Sequence, residues 1–410
     1  MIVDSLPTRL VVGLSAVALS GLVFVVGVSG ATDAPPAERT LGHGGAAARL
    51  AASMPHRHGR APATGEEIFL ATCAGCHGPD GRGQPQTTVG FAVPMPDFTD
   101  CGATSAEMEV DWAAVIRDGG PVRGFSRIMP AFRDLLTREQ IRRVASYLRT
   151  LCADPRWPHG EFNVPLAQTT EKAFPEDEVV LTSTVTTREP RSVENHLIFE
   201  KRFGSREQLE LDVPFGFVGR PGQSWVGGMG DISLTGKHVF LANPASGTIV
   251  SGLGGVILPT GDQATGLGTG TTAFEGYLLG AQLLPARSYF QFQGGVELPT
   301  DLSRAPRSAF WSGVLGTTVA VGPITRIWSP MIGVTGTRDL VSGAPVAWTV
   351  APAVQVSLSA LQHVRASIGA NVPLTQRDTH STQFLAYLLW DTADGPLLQG
   401  WKGWCPGCEH

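Results

Sequence analysis

Gln208-Leu209-Glu210-Leu211-Asp212-Val213-Pro214-Phe215-Gly216-Phe217-Val218 alternates between two kinds of residue. In an extended chain successive side chains point to opposite faces. Leu209, Leu211, Val213, Phe215 and Phe217 therefore share one face, and Gln208, Glu210, Asp212, Pro214 and Gly216 share the other. A helix would scatter the same residues around its circumference, so the stretch predicts a half-buried strand. Tyr289–Leu298 reads the same way, with Phe290, Phe292, Val296 and Leu298 opposite Tyr289, Gln291, Gln293 and Glu297. So does Asp231–Leu241, with Ile232, Leu234 and Phe240 opposite Asp231, Ser233, Thr235 and Lys237. A short motif recurs at strand ends: Val213–Gly216, Gly255–Gly261, Gly295–Thr300 and Asn371–Leu374.

Working outward, residues 193–395 divide into about 12 strands of about 10–14 residues, separated by turn residues. An antiparallel up-and-down β-barrel is expected, with a β-sandwich as the alternative. Strand length and the continuous meander favour the barrel. Phe215, Phe217, Tyr289, Phe290, Phe292, Trp311, Trp328, Trp348, Tyr387 and Trp390 lie near strand ends and are expected to form interfacial girdles.

Upstream the period changes to that of helices. In residues 63–155, Thr64 with Glu67 and Thr137 with Gln140 are capping boxes at two helix starts. Ile141, Val144, Ala145, Leu148 and Leu151 form one apolar stripe. A middle helix is expected over Ala106–Asp118, stopped by Gly119-Gly120. The first helix delivers Cys73-Ala74-Gly75-Cys76-His77. Two thiols and an imidazole at C-x-x-C-H spacing read as a c-type haem attachment site. Cys73 and Cys76 would bond one haem c covalently, and His77 would ligate the iron.

Met129-Pro130-Ala131-Phe132, Leu136-Thr137, Ile141, Tyr147-Leu148 and the preceding Val115–Gly120 resemble the C-terminal half of class I cytochromes c. The resemblance implies an all-α monohaem domain in which Met129 is the second axial ligand, with Phe69 and Tyr147 packed at a helix crossing. Met95, in the Met95-Pro96 pair of a proline-rich loop, is the rival ligand. The strand region resembles outer-membrane transporter-like barrels through its Leu-Pro-Thr motifs. The domain order resembles fused cytochrome–porin iron oxidases, but their haem domains are much shorter, so iron oxidation is not carried over.

The remaining segments complete the expected organisation. Residues 1–31, with Arg9 ahead of an apolar run from Leu10 to Val28, read as a signal peptide or membrane anchor. Residues 32–62 and 156–192 read as linkers, the second with a strand at Val179–Thr187. Residues 396–410 form a tail carrying Cys405 and Cys408, which can close a local disulfide. Cys101 and Cys152 can form another, stapling the methionine loop to the last helix. The net charge of −5 gives no basic footprint, so nucleic acid is not an expected partner.

These readings point to an exported electron carrier, not an enzyme. A His/Met-ligated haem would be held on the periplasmic side of the outer membrane by the barrel. Its partners would be the membrane and a redox protein or an external electron donor or acceptor. An inner-membrane-anchored periplasmic protein is the alternative location. A transport channel with a redox-sensing haem domain, and a peroxidase-like haem enzyme with an open distal site, are the alternative functions. No Ser-His-Asp arrangement or phosphate-cradling loop stands out.

Overall fold

The computed structural model describes residues 64–392 apart from 189, 220, 221, 223 and 322–325. The expected signal or anchor, the linker at 32–62 and the tail with Cys405 and Cys408 lie outside the described residues. Helices come first: α1 (Gly65–Thr72), α2 (Ala74–His77), α3 (Gln86–Val89), α4 (Cys101–Thr104), α5 (Glu109–Asp118) and α6 (Arg138–Leu151). Both capping boxes form, and the middle helix begins at Glu109, three residues later than the sequence suggested. The buried stripe of α6 (Ile141, Val144, Ala145 and Leu148) packs on Ile68 and Phe69 of α1.

Strands follow in an unbroken series. They are β1 (Glu178–Thr186), β2 (Arg191–Phe203), β3 (Glu207–Gly219), β4 (Val226–Met229), β5 (Ile232–Asn243), β6 (Thr248–Leu258) and β7 (Ala273–Leu284). The series continues with β8 (Ser288–Pro299), β9 (Ser308–Thr317), β10 (Val319–Val321), β11 (Arg326–Asp339), β12 (Ala347–Ser357), β13 (Val364–Pro373) and β14 (Gln383–Asp391). Each pairs antiparallel with its neighbours, β14 returns to β1 from Glu178↔Asp391 to Thr186↔Gln383, and β9 pairs β11. The short β4 continues the pairing of β5 with β3, and β10 continues that of β9 with β11. The result is a closed 12-strand barrel. Closure leaves no sheet edge, which rules out the β-sandwich.

The faces are inverted relative to a soluble protein. Leu209, Phe217 and Phe240 are 50%, 48% and 62% exposed, whereas Gln208 and Glu210 are buried. An apolar exterior around a polar interior suits a bilayer. Among the described residues no helix is long and apolar enough to cross a membrane; the strands supply the apolar belt. Two of the expected girdle aromatics prove otherwise. Tyr289 and Tyr387 are buried on the inward face, where the Tyr387 hydroxyl lies 2.7 Å from Leu166 O and 2.6 Å from Gln355 Oε1 and can donate to one of them at a time. Tyr289 is in phase with Gln291 and Gln293, and that phase turns it inward.

The expected linker at 156–192 also differs. Its last part is β1, so the barrel begins at Glu178 and not at 193. Before that, residues 163–177 enter the lumen and turn back at an Ala167↔Thr170 bridge. Irregular backbone inside a barrel needs partners for its N–H and C=O groups, and the strands provide them. Gln291 Nε2 donates to Pro165 O (2.9 Å), Ser251 Oγ donates to Ala173 O (2.5 Å), and the N–H of Glu171 donates to Gln293 Oε1 (2.6 Å). Gln168 Nε2 reaches Ser367 Oγ at 3.0 Å. Lys172 is fully buried and held by Glu176 and Glu178, each at 2.9 Å, and by Asn163 Oδ1. Phe162, Val164 and Phe174 pack on Val239, Ile249, Leu279 and Tyr289 of the wall. The polarity and prolines that resemble a linker are those of a plug.

The plug therefore occupies part of the lumen and narrows it. Replacing residues 167–172 by a two-residue glycine–serine bridge should raise single-channel conductance in planar bilayers several-fold while strand content by circular dichroism is kept. An unchanged conductance would mean that the lumen conducts with the plug in place.

Candidate functional site

The helical region is built to hold one loop against one helix end. Thr64 Oγ1 accepts from the N–H of Glu67 (3.1 Å), and Glu67 Oε2 accepts from the N–H of Thr64 (3.0 Å). These bonds satisfy donors that a helix start leaves open. The helix then ends at Cys73, and α2 carries Cys76 and His77. Gly78 and Gly83, at φ +73° and +81°, let the chain turn back. Gly83 N–H donates to His77 O and Gln84 N–H to Cys76 O, each at 2.8 Å, which pins the motif's backbone.

Phe69 and Tyr147 meet with ring centroids 5.4 Å apart where α1 crosses α6. The crossing is tight, since a Cβ on Gly65 would lie 2.0 Å from Arg143 O. Phe132 N–H donates to Ile116 O (3.0 Å) and Gly120 N–H to Met129 O (3.0 Å), which ties the methionine loop to α5. Met129 and Cys73 both border the core formed by Ile68, Phe69, Ile116, Leu136 and the α6 stripe, together with Phe98 and Trp112. Met95 packs on Gly83, whose N–H is bonded to His77 O, and does not border that core. A disulfide joins Cys101 of α4 to Cys152 at the end of α6, with Cα atoms 5.1 Å apart. Closing a loop of 51 residues removes enough unfolded-chain entropy to stabilise the domain by about 4 kcal/mol.

The chemistry of the motif fits a haem c. Cys73 and Cys76 are free thiols on one helical turn. His77 Nδ1 is buried without a hydrogen-bond partner among the described residues. Burial lowers the pKa of His77, favouring the neutral imidazole that a metal requires. It also pushes the Cys73 thiol up, favouring its protonated form. Phe98 covers the imidazole with ring centroids 5.1 Å apart, and Trp112 stands behind Phe98 at 6.2 Å.

Several arginines of this region are paired within it. Arg123 is buried on Asp111 (2.8 Å), and Asp118 takes both Arg117 (2.6 Å) and Arg133 (3.1 Å). Glu139 holds Arg142 and Arg143. Arg149 lies 4.3 Å from the centroid of Trp112, donates to Thr104 O (2.9 Å) and bonds Glu161 (3.1 Å). These contacts are structural, so Arg149 and Arg123 are not available to steer a partner.

No local pattern signals how the helical region meets the barrel. Glu107 Oε1 lies 3.3 Å from His363 Nε2, just ahead of β13. Arg202, at the end of β2, donates to Ser105 Oγ (3.3 Å) and stacks over Trp157 and Phe174 at 4.5 and 5.3 Å. Arg206, in the β2–β3 turn, donates to Arg156 O (3.1 Å). All three contacts fall at the end of the barrel where connections are short, such as Pro285–Arg287 between β7 and β8. The opposite end carries the longer connections, such as the one from Leu258 to Ala273.

Residues 60–148 match the family model described as cytochrome c oxidase, cbb3-type, subunit III. No curated protein matches the chain. Among solved structures the chain is similar to an outer membrane channel from Pseudomonas putida, with 16% identity over 55% of this chain and 99% of that one, at a TM-score of 0.41. It is also similar to the NanC porin, with 9% identity over 52% of this chain and 98% of that one, at a TM-score of 0.37. The KdgM porin gives 8% identity over the same shares at 0.35. A cytochrome c domain implies haem.

Gly65→Ala should lower the thermal stability of the helical region by about 1–3 kcal/mol, because α1 must move off α6 to admit one methyl group. Calorimetry of the full chain checks this. An unchanged transition would mean that the crossing yields freely.

Proposed function

We propose that this chain, a cytochrome c domain joined to an outer-membrane-type β-barrel, transfers electrons through one covalently attached haem c at the periplasmic face of the outer membrane. One observation carries the reading. The C-x-x-C-H helix end and the Met129 loop border a single small core, with both thiols free and the His77 imidazole nitrogen left without a partner. Cys73 and Cys76 would hold the haem covalently, and His77 and Met129 would hold its iron. The bound group would supply one-electron redox chemistry. A thioether and an imidazole together would raise the potential and leave no iron position for substrate, which favours a carrier over a peroxidase.

The barrel is the anchor. Short turns lie on the periplasmic side of outer-membrane barrels and long loops outside. The helical region meets the short-turn end through His363, Arg202 and Arg206, which supports a periplasmic haem. Residues 1–31 fit the export this location needs. The plug in the lumen speaks against a wide solute path, and a periplasmic redox protein is the partner that can reach the haem.

The ferric protein should show the weak near-infrared methionine-to-iron band, and Met129→Ala should abolish it while Met95→Ala leaves it intact. A high-spin spectrum in the unaltered protein, or loss of the band on changing Met95 instead, contradicts the reading. On cell fractionation the protein should appear in the outer membrane without residues 1–31.

A further inference from the structure

Glu200 of β2 and Glu210 of β3 sit directly opposite each other in the strand register, both on the inward face. Like charges in such a pair repel, and burial removes the water that would screen them. The plug adds a third carboxylate. Side-chain oxygens of Glu171, Glu200 and Glu210 all lie within 4.8 Å of one another. Lys237 faces this group, but its ammonium reaches Gln208 Oε1 at 3.3 Å, and Lys172 is engaged by Glu176 and Glu178. Asp212, in turn, is bonded to His196. The fold thus brings three carboxylates from three chain segments to one point and leaves them short of positive charge.

A second observation concerns acceptors. Glu200 Oε2 is buried with no hydrogen-bond partner among the described residues, in a residue only 7% exposed. Thr235 Oγ1, in a residue 3% exposed, has none either. Thr235 lies directly opposite Glu210 on the next strand, and its methyl group is turned to Gly255 on the far side. Its unpartnered hydroxyl therefore stands beside Glu210 on the inward face. A buried oxygen without a donor is destabilising by about 1–3 kcal/mol unless something else satisfies it.

We propose that Glu171, Glu200 and Glu210 bind a divalent cation of the calcium class, which fastens the plug to the barrel wall. An all-oxygen, carboxylate-rich set selects a hard cation. Oxygens this close can share one ion, and the flexible coordination of calcium suits ligands from three separate chain segments better than the strict octahedron of magnesium. The Thr235 hydroxyl and water fill further positions. Glu171 is the movable member, since it rides on the plug while the other two are fixed in strands.

Equilibrium dialysis of the full-length, haem-loaded protein in detergent, stripped with chelator and returned to radiolabelled calcium, tests this. One calcium per chain is expected, with magnesium competing weakly. Glu171→Gln and Glu200→Gln should each weaken retention by about tenfold or more, while Glu207→Gln, exposed at the start of β3, leaves it unchanged. Glu171→Gln changes no strand residue, so it stays informative if the Glu200 variant fails to fold. Absence of stoichiometric calcium at sub-millimolar concentration would overturn the proposal, because the carboxylates would then be neutralised by protons. Retention unaffected by Glu171→Gln and Glu200→Gln would overturn it as well.

Discussion

In a bilayer no backbone N–H or C=O can be left without a partner, at a cost of several kcal/mol for each. The ladder between β14 and β1 is where this chain meets that condition, since it turns a meander into a ring. Every strand then has two neighbours. Leucine and phenylalanine can face lipid only because polar backbone does not, and the inward face is free to carry glutamate, glutamine and tyrosine.

The same condition governs the plug. Residues 163–177 are irregular and lie inside the barrel, so their backbone draws on inward side chains from many strands: Gln291, Gln293, Ser251, Tyr387 and Gln208. Wall and plug specify each other. A lumen lined by amides and hydroxyls would be poor packing for an apolar segment, and an unpaired loop would be poor filling for a polar lumen. The buried Lys172 with Glu176 and Glu178 belongs to this fit, because removing one partner would leave an uncompensated charge.

Much of this was legible in the chain. The alternation at Gln208–Val218 marked both the strand and its two faces, and the two capping boxes marked helix starts to the residue. The C-x-x-C-H spacing of Cys73–His77 is what suggests haem chemistry there, and the proposed function rests on it. What stayed hidden depends on contacts distant in sequence. The plug's composition matches a solvated linker, and only the strands around it make it a plug. Tyr289 was readable from its phase with Gln291, yet tyrosine's usual place at membrane interfaces argued the other way. The Glu171, Glu200 and Glu210 cluster joins a plug residue to two strands, a proximity that no local pattern encodes.

The proposed function makes one claim above the others: a haem on the periplasmic side, behind a barrel whose lumen carries a plug. The most direct measurement follows the reduced-haem absorption band in intact cells offered a reduced protein donor too large to pass the outer membrane. The account predicts no reduction until the outer membrane is permeabilised, and prompt reduction afterwards. Prompt reduction in intact cells would contradict it.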